Sequence, residues 1–489
     1  MKFIKNYNNP LKILAGPAIG ALLYSLILKN TGNELMAKTT FVVALMGVWW
    51  ILEAFSIYFT ALIPLSLFPI LGVMDMREIA PAYANDIIFL FTGGFLIAFA
   101  IEKWNLHKRI ALRIMLAIGA EPHKILLGMM LSSYILSMWI SNVATTMMLL
   151  PAALSIVKQF ECDDKKSFMR FSTSLLLGIA YASSIGGTAT LVGTAPNMIF
   201  MGFFNENFPE LPPMSFAKWI MFGLPVSAVF LVIAYYLFKK LFLKNLKLAN
   251  VSLNYCEQEY QKLGKMTREE ITVSIVFFIT ILLWLFRENI VLGALEIKGW
   301  SNLFPESKFI TDSTVAMIMA SVLFLIPSSK NEHILTWEEG KKIPMGILFL
   351  FGGGFALAKG ISASGLSDWL GENLKGLEGV HPVIMVIILC TFMTFFTEIS
   401  SNTAATYLVL PILMALAKST DISPLIIMVP VVFSASYAFM LPVATPPNTI
   451  VFGTELVQSK DMIRIGIWLN LVGIVLMTSA IFMLGRFIF

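Results

Sequence analysis

The chain is expected to be an all-α polytopic membrane protein, with about 11 transmembrane helices and two re-entrant hairpins arranged in inverted repeats. Three observations predict this. Its 489 residues are 57% hydrophobic and only 13% charged, whereas a soluble globular protein is nearer a quarter charged. Apolar runs long enough to cross a bilayer recur along the whole length. Two apolar segments, 125–157 and 382–417, carry similar packets of small polar residues. A β-barrel is not expected, because barrels show short alternating segments rather than long apolar runs.

The crossings are expected, in order, at about 11–29, 38–54, 55–72, 87–101, 168–203, 218–238, 268–287, 311–327, 343–360, 424–452 and 463–485. The first run, from Leu11, lacks a small-residue cleavage pattern and is read as a retained helix. Loop charge orients the rest. Lys103, Lys108, Arg109, Arg113 and Lys124 precede segment 125–157, and Lys158, Lys165, Lys166 and Arg170 follow it. Both flanks are basic and therefore expected on the cytoplasmic side. A segment this short cannot supply two crossings of about 20 residues each, so a re-entrant hairpin fits. Around segment 382–417, Lys359 and Lys375 are outnumbered by Asp368, Glu372 and Glu378, and only Lys418 and Asp421 follow. This end is expected outside. An odd number of crossings separates the hairpins, so they enter from opposite faces. The basic stretch Lys239, Lys240, Lys244, Lys247, Lys262, Lys265 and Arg268 then falls inside, as does the N-terminus, and forms the main polar linker.

The two halves match locally. "FLFTGGF" (Phe89 to Phe95) resembles "FLFGGGF" (Phe349 to Phe355), and "SNVATTMMLLP" from Ser141 resembles "SNTAATYLVLP" from Ser401, both at an offset of 260 residues. "GTAPN" (Gly193 to Asn197) resembles "ATPPN" (Ala444 to Asn448) at an offset of 251. Inverted repeats with interrupted helices and a midplane site characterise many secondary transporters.

Irregular backbone at membrane depth is tolerated only when buried in protein or lining a cavity. A Ser-Asn-Thr turn meets that need by capping the helix that follows. Its free N–H groups, hydroxyls and positive helix end can receive an anion. Its side-chain oxygens and freed carbonyls can replace the water shell of a small cation such as sodium. The prolines of the second pair of motifs break helix hydrogen bonding and free carbonyls nearby, while Asn197 and Asn448 can support the break. The bland alternative for any one motif is a proline kink with a Ser/Thr patch for helix packing; four motifs in two matched pairs favour a binding site. No Arg or Lys lies in the packets, so an anion held there needs bound cations to offset its charge.

Other residues are expected to be structural. Glu53 and Glu398 sit in apolar sequence; a proton-carrying role is open, but a hydrogen bond or ion pair at a helix break is preferred. Trp49 and Trp50, Met147 and Met148, and the glycines of the "FLF-GG-F" elements are read as packing. Cys162, Cys256 and Cys390 form no C-x-x-C pair, and His107, His123, His333 and His381 lie near charged loops. Neither a thiolate nor a histidine metal centre is indicated. The formal charge of +5 is accounted for by cytoplasmic loops, so no nucleic-acid partner is expected.

These motifs, and the run "LPVATPPNTIVFG" from Leu441 above all, make the chain resemble the divalent anion–sodium symporter family across essentially its whole length. The resemblance implies a homodimer in the lipid of an inner (cytoplasmic) membrane, working by an elevator motion. Scaffold helices would be 1–120 and 245–380 (the latter with the linker), and the transport domain 121–244 and 381–489. Family sodium sites would fall on Ser137, Ser141, Asn142 and Gly193, and on Thr397, Ser401, Asn402 and Ala444. Substrate carboxylates would meet Asn142, Val143, Thr194, Ser401, Asn402, Thr403, Thr445 and Pro446. Two departures are visible. Val143 stands where many dicarboxylate-carrying members have a hydroxyl, and Ala195 where a second proline is frequent. The implied function is sodium-coupled import of C4-dicarboxylates such as succinate, not enzymatic turnover. Alternatives are a sodium-independent exchanger, a proton-coupled carrier, a carrier of citrate or sulfate, and, from another class, an anion channel. An intramembrane serine hydrolase is disfavoured, because no His or Lys base accompanies the motif serines.

Overall fold

The computed structural model describes residues 9–159, 164–244, 253–292, 295–377, 379–420 and 422–489. Cys162, Lys247, Glu378 and Asp421, which entered the reading of thiols and loop charge, lie outside the described residues. In order the helices are α1 (Pro10–Thr31), α2 (Glu34–Leu52), α3 (Ile57–Thr60), α4 (Ile63–Leu71), α5 (Met76–Ile79), α6 (Asp86–Lys103), α7 (Leu106–Ile118), α8 (Pro122–Ser137), α9 (Asn142–Gln159), α10 (Lys165–Gly187), α11 (Ala195–Asn207) and α12 (Phe216–Phe238). Then follow α13 (Asn254–Leu263), α14 (Arg268–Leu285), α15 (Asp312–Leu325), α16 (Trp337–Gly340), α17 (Met345–Ala363), α18 (Leu366–Leu374), α19 (Pro382–Thr397), α20 (Asn402–Ser419), α21 (Pro424–Ala435), α22 (Pro446–Phe452), α23 (Ser459–Ala480) and α24 (Arg486–Ile488). A short antiparallel ladder pairs β1 (Ile290–Leu292) with β2 (Leu295–Ile297).

Local chemistry sets the helix ends. The Asn9 side chain accepts from the Leu11 N–H at 3.1 Å, and Pro10 opens α1 where a missing N–H is harmless. Gly32 closes α1 at φ +65°, a conformation that Cβ-bearing residues disfavour. Thr267 and Glu270 form a reciprocal capping box at the start of α14.

Among the described residues six helices are long and apolar enough to cross a membrane: Pro10–Thr31, Glu34–Leu52, Met76–Lys103, Phe216–Leu243, Met345–Ala363 and Ser459–Gly485. Their outer faces stay apolar. Leu11, Leu14 and Leu22 on α1 and Trp468 and Val475 on α23 are exposed, as lipid-facing side chains are.

Of the other expected crossings, 268–287 is the single helix α14 and 311–327 the shorter single helix α15, while three are interrupted. Segment 168–203 is α10 and α11 with the break at 188–194, and segment 424–452 is α21 and α22 with the break at 436–445. Both breaks fall at the Pro-Asn elements. Segment 55–72, read as one crossing, is α3 and α4. Pro64 lies in the first turn of α4 and has no N–H to continue a helix from α3. Glu53 is not inside a span. It ends α2 in the left-handed conformation, φ +46°, with an exposed side chain. Glu398 is buried just beyond α19.

Contacts gather the chain into two units. One comprises Met1–Ile88, Ile199–Pro213 and Pro344–Ala435, the other Phe89–Met198, Met214–Ile343 and Ser436–Phe489. In the first, Trp49 Nε1 donates to Ile13 O at 3.0 Å and Trp50 Nε1 to Ile57 O at 3.1 Å, tying α2 to α1 and α3. The glycines of "FLFGGGF" lie flush against their neighbours. A Cβ on Gly352 would meet the Tyr83 ring, on Gly353 the Ala61 backbone, and on Gly354 the Tyr407 ring. In the second unit, Arg287 Nε bonds Asp312 Oδ1 at 2.6 Å, and Asp312 Oδ2 accepts from the Phe216 N–H at 2.8 Å. This fixes the connection between α14 and α15 to the start of α12.

Candidate functional site

Two helix-turn-helix hairpins present the Ser-Asn packets. The first is α8 and α9, turning at 138–141; the second is α19 and α20, turning at 398–401. Their turns share one device. Ser137 Oγ, on the last residue of α8, donates to Asn142 Oδ1 at 2.6 Å. Thr397 Oγ1, on the last residue of α19, donates to Asn402 Oδ1 at 2.7 Å. In each hairpin a hydroxyl at the end of one arm therefore orients the amide that begins the other. Thr397 Oγ1 also lies 2.9 Å from Ala435 O, where α21 ends. Ser141 caps α9, its Oγ accepting from the Ala144 N–H at 3.3 Å. Ser401 occupies the same place before α20 without a side-chain cap bond, so the expected capping is made in one half only. Ser141, Asn142 and Val143 are half-buried, as are Ser401, Asn402 and Thr403. The tips are thus partly accessible.

The helix breaks repeat a second device. Asn197 Nδ2 donates to Gly187 O at 3.1 Å and Thr190 O at 2.7 Å. Asn448 Nδ2 donates to Ala438 O and Leu441 O, both at 3.0 Å. The acceptors lie ten and seven residues before the asparagine in both cases. Carbonyls freed by the break are thereby paired rather than left bare in an apolar interior. Trp219 Nε1 completes the first break by donating to Thr188 O at 3.0 Å.

In the second unit the first hairpin and first break meet. Thr190 Oγ1 donates to Met138 O at 2.5 Å, tying the break to the hairpin turn. A Cβ on Gly187 would lie 2.6 Å from Asn142 Oδ1 and 3.2 Å from Gly193 O, and a Cβ on Gly193 2.5 Å from Gly187 O. Only glycine permits this approach at both positions. The structure therefore brings together Ser137, Asn142 and Gly193, with Ser141 at the same turn. They contribute neutral oxygens of hydroxyl, amide and carbonyl type, the donor set of a small hard cation. Thr194 is half-buried beside them in sequence.

The second set is divided between the two units. Thr397, Ser401, Asn402 and Thr403 belong to the first unit, with Thr397 and Asn402 in contact. Ala444, Thr445 and Pro446 belong to the second. Ala444 and Thr445 are buried, and Pro446 is exposed at the start of α22. The Ala444 N–H donates to Leu441 O at 3.2 Å, one of the carbonyls that Asn448 also holds.

Sequence reasoning missed Thr190 and Trp219. The repeat carries no signal for Thr190, because its counterpart at an offset of 251 is Leu441. Among the described residues no group of three or more His, Cys, Asp or Glu could hold a metal ion.

Known proteins resemble the chain over most of its length. The family model for the sodium:sulfate symporter transmembrane region matches residues 18–489. The sodium-dependent dicarboxylate transporter SdcS of Staphylococcus saprophyticus is 41% identical over 493 residues, covering 98% of this chain and 92% of the relative. SdcS of Staphylococcus aureus strain NCTC 8325 is 40% identical over 482 residues, covering 96% and 90%. The solved structure of Neisseria gonorrhoeae MtrF superposes with a TM-score of 0.57 at 12% identity over 83% of this chain and 82% of that one. The Alcanivorax borkumensis YdaH transporter gives 0.56 at 12% identity over 96% of each; at these identities the two show likeness of fold alone. With matched hairpin turns, matched helix breaks and a family match from residue 18 to the last residue, the chain belongs to the sodium:sulfate symporter family of membrane transport proteins.

Proposed function

We propose that the chain is a sodium-coupled symporter of C4-dicarboxylates such as succinate. The observation that supports this most is the doubled hairpin turn, in which Ser137 orients Asn142 and Thr397 orients Asn402 by the same hydroxyl-to-amide bond. Each turn aligns an amide oxygen for a cation while the free N–H groups at the start of the next helix face an anion. The names of the Staphylococcus relatives support the same substrate and coupling ion.

In this reading sodium binds first, at Ser137, Ser141, Asn142 and Gly193 and at Thr397, Ser401, Asn402 and Ala444. The dicarboxylate then binds, met by Asn142, Ser401, Asn402, Thr403, Thr194 and Thr445, with Val143 and Pro446 as apolar contacts. The cations offset the dianion, whose entry into a low-dielectric site is otherwise very costly. The hairpins are re-entrant: a 16-residue arm such as α8 or α19 spans about 24 Å, short of a bilayer core of about 30 Å. They enter from opposite faces of a cytoplasmic membrane, with the N-terminus inside. Segments 121–244 and 381–489 move as a transport domain against scaffold helices 1–120 and 245–380 in a homodimer.

A second substrate reading rests on Val143, which removes a hydroxyl that Thr403 supplies on the other tip; citrate or sulfate are the anions it favours. The test is uptake of radiolabelled succinate into proteoliposomes under an inward sodium gradient, against a potassium control. Sodium-dependent uptake that falls at least tenfold in Asn142→Ala and in Asn402→Ala is expected. Uptake that ignores sodium but requires internal dicarboxylate makes the protein an exchanger and removes the cation assignment.

A further inference from the structure

We infer that Asn197 and Asn448 are positioning residues that set the affinity of the two cation sites, rather than simple supports of a kinked helix. The inference rests on the sodium-symport reading above and deepens it.

Both asparagines are fully buried. Both spend Nδ2 on two carbonyls of the broken segment at the same spacing. That use fixes the amide orientation, because a carbonyl needs a donor and only the NH₂ end supplies one. The cost is left on the other end. Asn197 Oδ1 and Asn448 Oδ1 are buried and have no hydrogen-bond partner among the described residues. A polar group deprived of partners in an apolar interior destabilises the fold. The same penalty is carried in both halves, at the same position of the motif, so what the NH₂ end secures outweighs it twice.

What it secures is contiguous with the cation ligands. In the first half the chain of contacts runs from Asn197 to Gly187 O, from Gly187 to Asn142 Oδ1 and Gly193 O, and from Asn142 Oδ1 to Ser137 Oγ. Movement of the Gly187 peptide would move the wall against which the Asn142 amide and the Gly193 carbonyl rest. In the second half Leu441 O receives both Asn448 Nδ2 and the Ala444 N–H. Asn448 thus holds the turn that presents Ala444. Neither asparagine belongs to the substrate set, so the effect of losing the clamp is directed at cations.

The variants that test this are Asn197→Asp and Asn448→Asp. Each keeps the shape of the side chain but, when ionised, turns acceptors toward two carbonyl oxygens. When protonated, the same carboxyl can donate to one of them. Two readouts are used on purified full-length protein: sodium titration of uptake in proteoliposomes, and stabilisation against thermal unfolding by sodium relative to choline, without substrate. The half-saturating sodium concentration is expected to rise about tenfold or more at pH 8, with the half-saturating succinate concentration at saturating sodium changed less than about twofold.

A folded variant with the parent's sodium half-saturation, or one that loses maximal rate alone, overturns the inference. So does failure of both variants to yield folded protein, which would make the amides requirements of the fold and not of cation affinity. Parent protein that needs no sodium is a different failure. It removes the symport reading itself, and is seen before any variant is made.

Discussion

At Val143 the chain departs from its own repeat, since Thr403 stands at the matching place in the second hairpin. Both residues are half-buried at their tips. Restoring the hydroxyl with Val143→Thr adds one donor for a carboxylate. A hydrogen bond to a charged group contributes about 1.5–3 kcal/mol, part of which is lost in ordering the side chain. The half-saturating succinate concentration should fall about three- to tenfold, measured as concentration-dependent uptake at saturating sodium; an unchanged value would remove position 143 from the substrate contact. The two orienting hydroxyls lend themselves to a paired comparison. Ser137→Ala and Thr397→Ala each delete a donor to an asparagine oxygen. Each should raise half-saturating sodium about three- to tenfold, the range that a bond of about 1 kcal/mol or slightly more supports. Thr397→Ala should be the more damaging, because Thr397 also reaches Ala435 O. Thr397→Ser, which keeps the hydroxyl, should stay near the parent.

Between elements, the placement of helix ends depends on a few buried polar links. Arg109 on α7 is bonded to Glu270 through Nε at 2.9 Å and Nη2 at 3.0 Å. Its guanidinium also donates to Gly264 O at 2.9 Å and Leu263 O at 3.2 Å, at the end of α13. Glu270 in turn accepts from the Thr267 N–H at 2.8 Å to cap α14. One ion pair, with both partners buried, therefore joins three helices where the polar linker meets the membrane-crossing segments. Removing one partner leaves a buried charge uncompensated, which costs about 3–5 kcal/mol. Arg109→Ala should lower the thermal unfolding midpoint markedly in detergent, while Lys262→Ala, whose Glu259 bridge is exposed on the lysine side, should leave it nearly unchanged. Equal midpoints for the two would show that the linker is not held through Arg109. The glycine approach at the first break offers a sharper steric test. Gly187→Ala would place Cβ 2.6 Å from Asn142 Oδ1. It is expected to abolish sodium-dependent uptake, whereas Gly376→Ala, with open space around it, should be silent.

At the scale of the whole molecule, the proposed inverted arrangement places the bases of the two hairpins on opposite sides of the membrane. Single cysteines at His123, beside the base of α8, and at His381, which caps α19, test this in a background without native cysteines. A membrane-impermeant thiol reagent applied to intact cells should label His381→Cys and spare His123→Cys, with the order reversed in inside-out vesicles. Labelling of both from one side would make the hairpins enter from the same face and remove the inverted repeat. The native thiols Cys256 and Cys390 are buried, and burial pushes the Cys256 thiol on the linker helix up to about 12, so it reacts poorly at neutral pH.

Composition and spacing by themselves determined that the chain is helical and apolar enough to span a membrane, that it is internally repeated, and where its two Ser-Asn turns and two Pro-Asn breaks fall. These properties are local. Proline is tolerated in the first turn of a helix but cannot extend one from the residues before it, and a small polar packet in an apolar run must be paired in place. The proline breaks at 188–194 and 436–445 were legible for that reason. Where a partner lies far along the chain, local pattern was silent. Nothing in the sequence around Glu53 marks it as the exposed left-handed end of α2 rather than an acid inside a span. Nothing around Thr190 announces that its hydroxyl ties the break to Met138, since the repeat has Leu441 there. The glycines of "FLFGGGF" suggested close packing, but only the folded chain sets the Tyr83 and Tyr407 rings and the Ala61 backbone against them. The tertiary structure decided which carbonyls Asn197 and Asn448 hold and which oxygens Gly187 and Gly193 let approach. Such distances arise from side chains of several elements closing on one place, and a linear pattern carries no term for that convergence.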